Sequence, residues 1–166
     1  MRTSLNGVKL VEGFESLHDG DLSKIGLQPK MDPVGIWTEA YGRAMRDNKG
    51  NFIKGIINKE LANSRITIRT KEDARVALLQ DLEIHERLVT SKIKIPLNQN
   101  QFDALVSYSY NTGGSNTLYS LINKKSSEDV IRGWFTTRYI TGQGSKKPLQ
   151  GLVNRRNAEA NLFFKK

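Results

Sequence analysis

Cysteine is absent from the chain, which excludes disulfides, thiolate metal sites and cysteine nucleophiles. Histidine is scarce: His18 and His85 are the only two, too few for a three-histidine zinc centre. Any Ser-His-Asp triad would have to use one of them. Long apolar runs are missing as well. The longest, such as residues 76–79, are four or five residues, against the ~20 needed to span a bilayer. The opening seven residues carry one basic side chain and no apolar stretch of the kind that marks a secretory signal, so synthesis in a cytoplasm is expected. No internal repeat, low-complexity tract or metal-ligand spacing is present, and nothing calls for a cofactor.

What remains is a globular composition, with 37% apolar and 26% charged residues among 166. That length suits one domain or two small lobes and allows roughly 70% of the unfolded chain's surface to be buried. The net charge is +9 and the isoelectric point near 9.8, which favours a polyanionic partner: nucleic acid, an anionic envelope or a membrane surface. The charge is uneven. Residues 1–95 hold 16 basic and 13 acidic side chains, whereas residues 96–166 hold 10 and 4, so acid chemistry belongs to the N-terminal part.

Hydrophobic spacing predicts a short amphipathic helix over residues 4–17, carrying Val8, Val11 and Phe14, and a turn-rich loop over 18–31. Residues 32–69 read as β-like and irregular. They hold an extended run at Ile36-Trp37-Thr38, a hairpin turning at Asp47-Asn48-Lys49-Gly50-Asn51, and a strand at Ile66–Ile68. Thr70-Lys71-Glu72-Asp73 has the form of a capping box and opens the longest helix, to about Ser91. Helices follow over 99–110, 117–123, 127–136 (with Ser127 able to cap) and 151–164, and residues 141–148 read as a loop. The expected architecture is α+β and mainly helical. A small β-containing N-terminal lobe (15–69), a connecting helix (70–91) and a helical C-terminal lobe (96–166), with helix 4–17 packing near it, form a single catalytic domain over 1–166.

Glu15 at the end of the first helix, Asp32 at the start of a turn and Thr38 in the following extended run form a candidate set for glycosidic-bond hydrolysis. That reaction needs one carboxylic acid to protonate the leaving oxygen and one carboxylate to handle the nucleophile. The segments Gly13-Phe14-Glu15-Ser16 and Asp32-Pro33-Val34-Gly35-Ile36-Trp37-Thr38-Glu39-Ala40-Tyr41-Gly42 resemble the phage lysozyme family (glycoside hydrolase family 24). That family's pattern is a Glu-Gly helix end followed by Asp-x-x-Gly-x-x-Thr-Ile-Gly-Tyr-Gly-His. The resemblance continues through residues 97–107 with Asn111-x-Gly113, and closes at Gly151-Leu152-Val153-Asn154-Arg155-Arg156.

The resemblance implies a two-lobed lysozyme-like fold and a muramidase. Such an enzyme cuts the β-1,4 bond from N-acetylmuramic acid to N-acetylglucosamine in peptidoglycan with inversion, serving as an endolysin in host-cell lysis. By position Glu15 is then the general acid, and Asp32 and Thr38 hold the attacking water. Arg155 pairs with the catalytic glutamate and Asn111 lines the cleft. Glu12, one turn before Glu15, competes for the acid role on spacing alone.

Three departures stand out. Sixteen residues separate Glu15 from Asp32, where the family commonly has eight. Glu39-Ala40 replaces the family's Ile-Gly, and strand alternation turns Glu39 away from the Thr38 face, as a solvated residue. Arg43 stands at the family's histidine, so an Arg43–Asp81 pair would replace one with a permanently charged one. His18 and His85 read as surface or loop histidines, Trp37 and Trp134 as core, and Arg155, without the resemblance, as a surface arginine.

The resemblance further implies peptidoglycan as partner, a holin or other membrane-permeabilising protein for access, a monomer, and accumulation in the host cytoplasm before action on the wall. No nucleic-acid partner is expected. The competing reading is a non-catalytic basic module binding cell wall or nucleic acid, including a degenerate lysozyme in which Arg43 has cost the activity.

Overall fold

A computed structural model describes residues 1–142 and 144–166. The described residues form seven α-helices, a short 3₁₀ turn and a three-stranded sheet, an α+β arrangement that is mainly helical. They divide into two compact units: residues 15–81, and residues 1–14 with 82–166.

The unit of residues 15–81 starts at the last residue of α1 (Leu5–Glu15). Its sheet is antiparallel in the order β1 (Lys30–Met31), β2 (Trp37–Glu39), β3 (Arg43–Ala44), with Lys30 opposite Thr38 and Thr38 opposite Ala44. Strands of two or three residues cannot hold a sheet by their ladders alone. A small apolar cluster of Trp37, Met45, Ile53 and Ala62 packs beneath, and backbone bonds Trp37 N–H to Ile53 O (2.9 Å) and Ile53 N–H to Met45 O (3.0 Å) extend the pairing. The expected hairpin is present. Asp47 closes its turn by accepting from the Lys49 and Asn51 amides at 2.8 and 2.9 Å, which holds its carboxyl below the usual range.

Two expectations for this stretch fail. Residues 56–64 are helical, as a 3₁₀ turn (Ile56–Asn58) running into α2 (Lys59–Ser64). Ile66–Ile68 is not a strand, because the Thr67 and Ile68 amides donate to the Glu39 carboxylate instead of to a neighbouring strand.

α3 (Lys71–Lys92) starts with the expected cap: the Asp73 amide donates to Thr70 Oγ1 at 3.1 Å. It runs out of the first unit into the second. There α4 (Gln99–Thr112) is the centre, with Phe102 through Ser109 all buried. Asn98 and Gln101 form a reciprocal capping box at its start, and Gly113 ends it in the left-handed region. α5 (Asn116–Asn123) is capped by Ser115, α6 (Glu128–Thr137) follows, and α7 (Gln150–Phe163) packs along α4. Ser127 occupies the cap position of α6 but makes no side-chain cap bond, a departure from expectation. Of the expected loop over 141–148, Gln143 lies outside the described residues, and Thr141 and Pro148 form an isolated bridge.

Charge is buried deeply in this unit. Glu159 is fully buried, between Arg155 (3.1 Å), Arg156 (3.1 Å) and the Ser107 hydroxyl (2.8 Å). Burial pushes its carboxyl up, and the two guanidiniums oppose that by favouring the charged form. The N-terminal residues are tied in the same way. Fully buried Asp103 accepts from the Ser4 amide (3.0 Å), the Ser4 hydroxyl and Gln99 (2.8 Å), and Glu86 accepts from Arg2 and Thr3. Gly7 is required here, since a Cβ would come within 2.8 Å of the Asp103 side chain.

Candidate active site

Glu15, Asp32 and Thr38 all fall in the unit of residues 15–81. Glu15 closes α1 and is half-buried; the next residue, Ser16, takes a left-handed φ of 58° and turns the chain off the helix. Glu12 belongs to the other unit, so Glu15 is the α1 acid that shares a unit with Asp32 and Thr38.

Asp32 is fixed by the turn it begins. Its Oδ1 accepts from the Val34 amide at 2.9 Å and the Ile36 amide at 2.8 Å, while its own amide donates to Ile36 O at 2.8 Å. An aspartate before Pro-Val-Gly is suited to this because its short carboxylate reaches amides two and four residues on. One oxygen is thereby committed to the backbone, and Oδ2 has no hydrogen-bond partner among the described residues. Two residues before Asp32, Lys30 pairs across the ladder with Thr38. Thr38 is a buried residue, and its hydroxyl donates to the Lys30 carbonyl at 2.9 Å.

His18 lies in the loop as expected, but it is bonded into this group. Its Nδ1 lies 2.7 Å from Thr38 Oγ1, and its amide donates to Ala40 O at 2.8 Å. Burial and the nearby Lys30 ammonium push the His18 pKa below the ordinary histidine value, outweighing the upward pull of Glu15 and Asp32. The ring is therefore under the fields of both candidate catalytic carboxylates. The only sequence cue to this placement is the unusual length of the segment between Glu15 and Asp32. That segment is built, not slack: the Asp19 carboxylate accepts from the Gln28 amide (3.2 Å), Gly20 N–H donates to Gln28 O (3.1 Å), and Leu27 N–H reaches Arg69 O (2.8 Å). A Cβ on Gly20 would lie 2.1 Å from Pro29 O, so glycine is obligatory there.

Glu39 is not solvated. It is buried, and its two oxygens take the Thr67 hydroxyl (2.6 Å), the Thr67 amide (3.0 Å) and the Ile68 amide (3.2 Å). It faces away from Thr38 as alternation requires, but the 66–68 segment covers that face. Arg43 and Asp81 form a two-pronged pair, Nε to Oδ2 and Nη2 to Oδ1, both at 2.9 Å, and Arg43 also donates to Ala77 O at 2.7 Å. This ties β3 to α3.

The remaining candidates sit in the other unit. Arg155 is buried, not a surface residue, with Glu159 and the Ser107 carbonyl as hydrogen-bond partners and the Phe14 ring 5.6 Å away. Asn111 is exposed and accepts from Arg156 at 2.5 Å. His85 bonds Ser109 Oγ at 2.9 Å and meets Tyr110 edge-on, so it too is more than a surface histidine. Trp37 is buried core, its indole N–H donating to Gly55 O at 2.8 Å.

A helix-end glutamate, an aspartate held by its turn and a strand threonine, within a helical α+β protein, are a candidate set for a lysozyme-type glycoside hydrolase. The family model described as phage lysozyme matches residues 22–159, and the chain belongs to that family. It is 29% identical to the endolysin of Acyrthosiphon pisum secondary endosymbiont phage 1, over 98% of each chain. It spans 55% of another, longer curated relative. Among solved structures it is similar to the endolysin from Escherichia coli O157:H7 phage FAHEc1 (TM-score 0.69, 28% identity, 99% of this chain and 94% of that one). It is also similar to the muramidase domain of SpmX from Asticaccaulis excentricus (TM-score 0.70, 25% identity, 99% of each). The protein is thus an enzyme, a glycoside hydrolase of the muramidase kind with a peptidoglycan-lytic role. The family match begins after Glu15 and His18, so the roles of those two rest on the local geometry.

Proposed function

We propose that the protein hydrolyses the β-1,4 bond between N-acetylmuramic acid and N-acetylglucosamine, with inversion at the anomeric carbon. The observation that supports this most is the grouping of Asp32 and Thr38, with Glu15, about one half-buried imidazole. In this reading protonated Glu15 gives its proton to the glycosidic oxygen as the C1–O bond breaks. Asp32 Oδ2 takes a proton from a water held against Thr38 Oγ1, and that water's oxygen bonds to C1 from the opposite face. Asp32 ends protonated and Glu15 ionised, and exchange with solvent restores both. Inversion demands room for the water, hence carboxyls roughly 6.5–9.5 Å apart. Arg155 and Asn111 are assigned supporting roles toward the substrate, and Arg43–Asp81 a supporting role in holding β3.

The net charge of +9 favours encounter with an anionic wall. Among the described residues no helix is long and apolar enough to cross a membrane. We assign the protein to host-cell lysis as a monomer made in the cytoplasm and admitted to the wall by a holin or similar permeabilising protein.

The test is digestion of purified peptidoglycan with product analysis. A reducing muramic acid end of inverted anomeric configuration is expected, and Glu15→Gln should lower the rate at least 10²-fold, the scale of general acid catalysis, with the fold kept. An anhydro end would instead mark a transglycosylase, and binding without cleavage a degenerate lysozyme.

A further inference from the structure

The hydrogen inventory around Thr38 Oγ1 is closed. The hydroxyl has one hydrogen and two lone pairs. The Lys30 carbonyl, 2.9 Å away, can only accept, so the hydroxyl hydrogen goes there. The Nδ1 of His18, 2.7 Å away, must then carry its own hydrogen and donate it to Oγ1. Any other assignment sets two acceptors against each other at hydrogen-bond distance. One lone pair of Oγ1 is left, in a direction fixed by the other two bonds.

We propose that His18 is a positioning residue for the hydrolytic water: it locks the Thr38 hydroxyl so that the remaining lone pair accepts from the water that Asp32 deprotonates. This rests on the muramidase reading above and names a residue supplied by the lengthened 16–31 segment. The imidazole is anchored for the task, since its own amide is bonded to Ala40 O in the residue pair after Thr38. The charged groups facing the ring are Lys30 from β1, Glu15 from α1 and Asp32 from the turn after β1. Burial and Lys30 favour the neutral ring, and neutrality matters chemically. A charged ring in this group would work against a general acid, which must hold a proton to act. The neutral ring supplies the Nδ1 donor without that charge.

The experiment measures kcat and KM on soluble glycan strands for the wild type, His18→Leu, His18→Asn and Thr38→Val, with circular dichroism as the check on folding. An Asn side-chain N–H stands close to where Nδ1–H stood. His18→Leu is expected to lower kcat about tenfold, the effect of one hydrogen bond, with KM within about twofold. His18→Asn should keep more than about a third of kcat. In a Thr38→Val background His18→Leu should cost nothing further, because its path runs through the hydroxyl. Should His18→Leu fail to fold, His18→Ala takes its place. Wild-type kcat in the Leu variant, an Asn variant as impaired as Leu, or losses that multiply in the double variant would each overturn the proposal. Glu15→Gln in the same assay separates the two readings. If it stays active, the catalytic assignment fails whatever His18 does. If it is dead while His18→Leu is at full rate, only the positioning role fails.

Discussion

The two units solve the same problem by opposite means. The larger one is made of helices whose ladders satisfy the backbone. Its buried charges, Glu159 with Arg155 and Arg156, Asp103 with Ser4, Glu86 with Thr3, are set against one another and against neighbouring hydroxyls and amides. The smaller unit has strands of two or three residues and one apolar cluster. There the carboxylates act as replacement secondary structure: Asp32, Asp47 and Glu39 each accept two backbone amides that no ladder serves. Candidate catalytic groups lie where side chains hold the backbone. A carboxylate fixed by its turn presents its remaining oxygen in a set direction, which is what positioning a water requires.

Breaking each scheme at its busiest residue tests the contrast. Glu159→Leu strips two buried guanidiniums of their carboxylate and should destabilise by about 3–5 kcal/mol. Hydrogen exchange should show the loss across α4 and α7. Glu39→Ala leaves the Thr67 and Ile68 amides without their acceptor and should cost about 2–3 kcal/mol. In that case accelerated exchange should be confined to residues 15–81; loss spread evenly through both units would contradict the division.

Backbone strain sharpens the comparison at smaller scale. Ser16 and Ala40 both hold left-handed φ values, 58° and 54°, at positions where the family pattern has glycine. Ser16→Gly relieves strain at an exposed site and should stabilise by about 0.5–1 kcal/mol. Ala40→Gly gives up a buried methyl worth ~0.8 kcal/mol, so its net effect should be near zero. Thermal unfolding of the two variants decides the order.

The smallest effect is a pH dependence. Because burial depresses the folded-state pKa of His18, the unfolded chain binds more protons as pH falls below about 6.5, so stability should decline there toward the folded pKa. His18→Asn should flatten that part of the stability curve, measured by denaturant titration between pH 7 and 5.

The longer helices were legible in the sequence because their signals are local: the Thr70–Asp73 cap stands where expected, and α4 starts at the expected residue 99. The 3₁₀ turn and α2 were hidden because Ile56, Ile57 and Leu61 are exposed, which breaks the rule that apolar spacing marks an inner face. Ile66–Ile68 misled for the converse reason, an alternating pattern whose amides are claimed by a carboxylate 28 and 29 residues away. Of the candidate site, Glu15, Asp32 and Thr38 were proposed through a motif, and all three fall in the unit of residues 15–81. His18 was not, since a single histidine in a turn-rich loop has no period, and its partner lies across a ladder that only folding creates.

The fork from Arg43 to Asp81 has a practical result for how the enzyme meets a change of acidity. A histidine in that place would let go on one side of neutrality. A guanidinium does not lose its charge near neutrality, so the strap between β3 and α3 does not hang on a titrating ring.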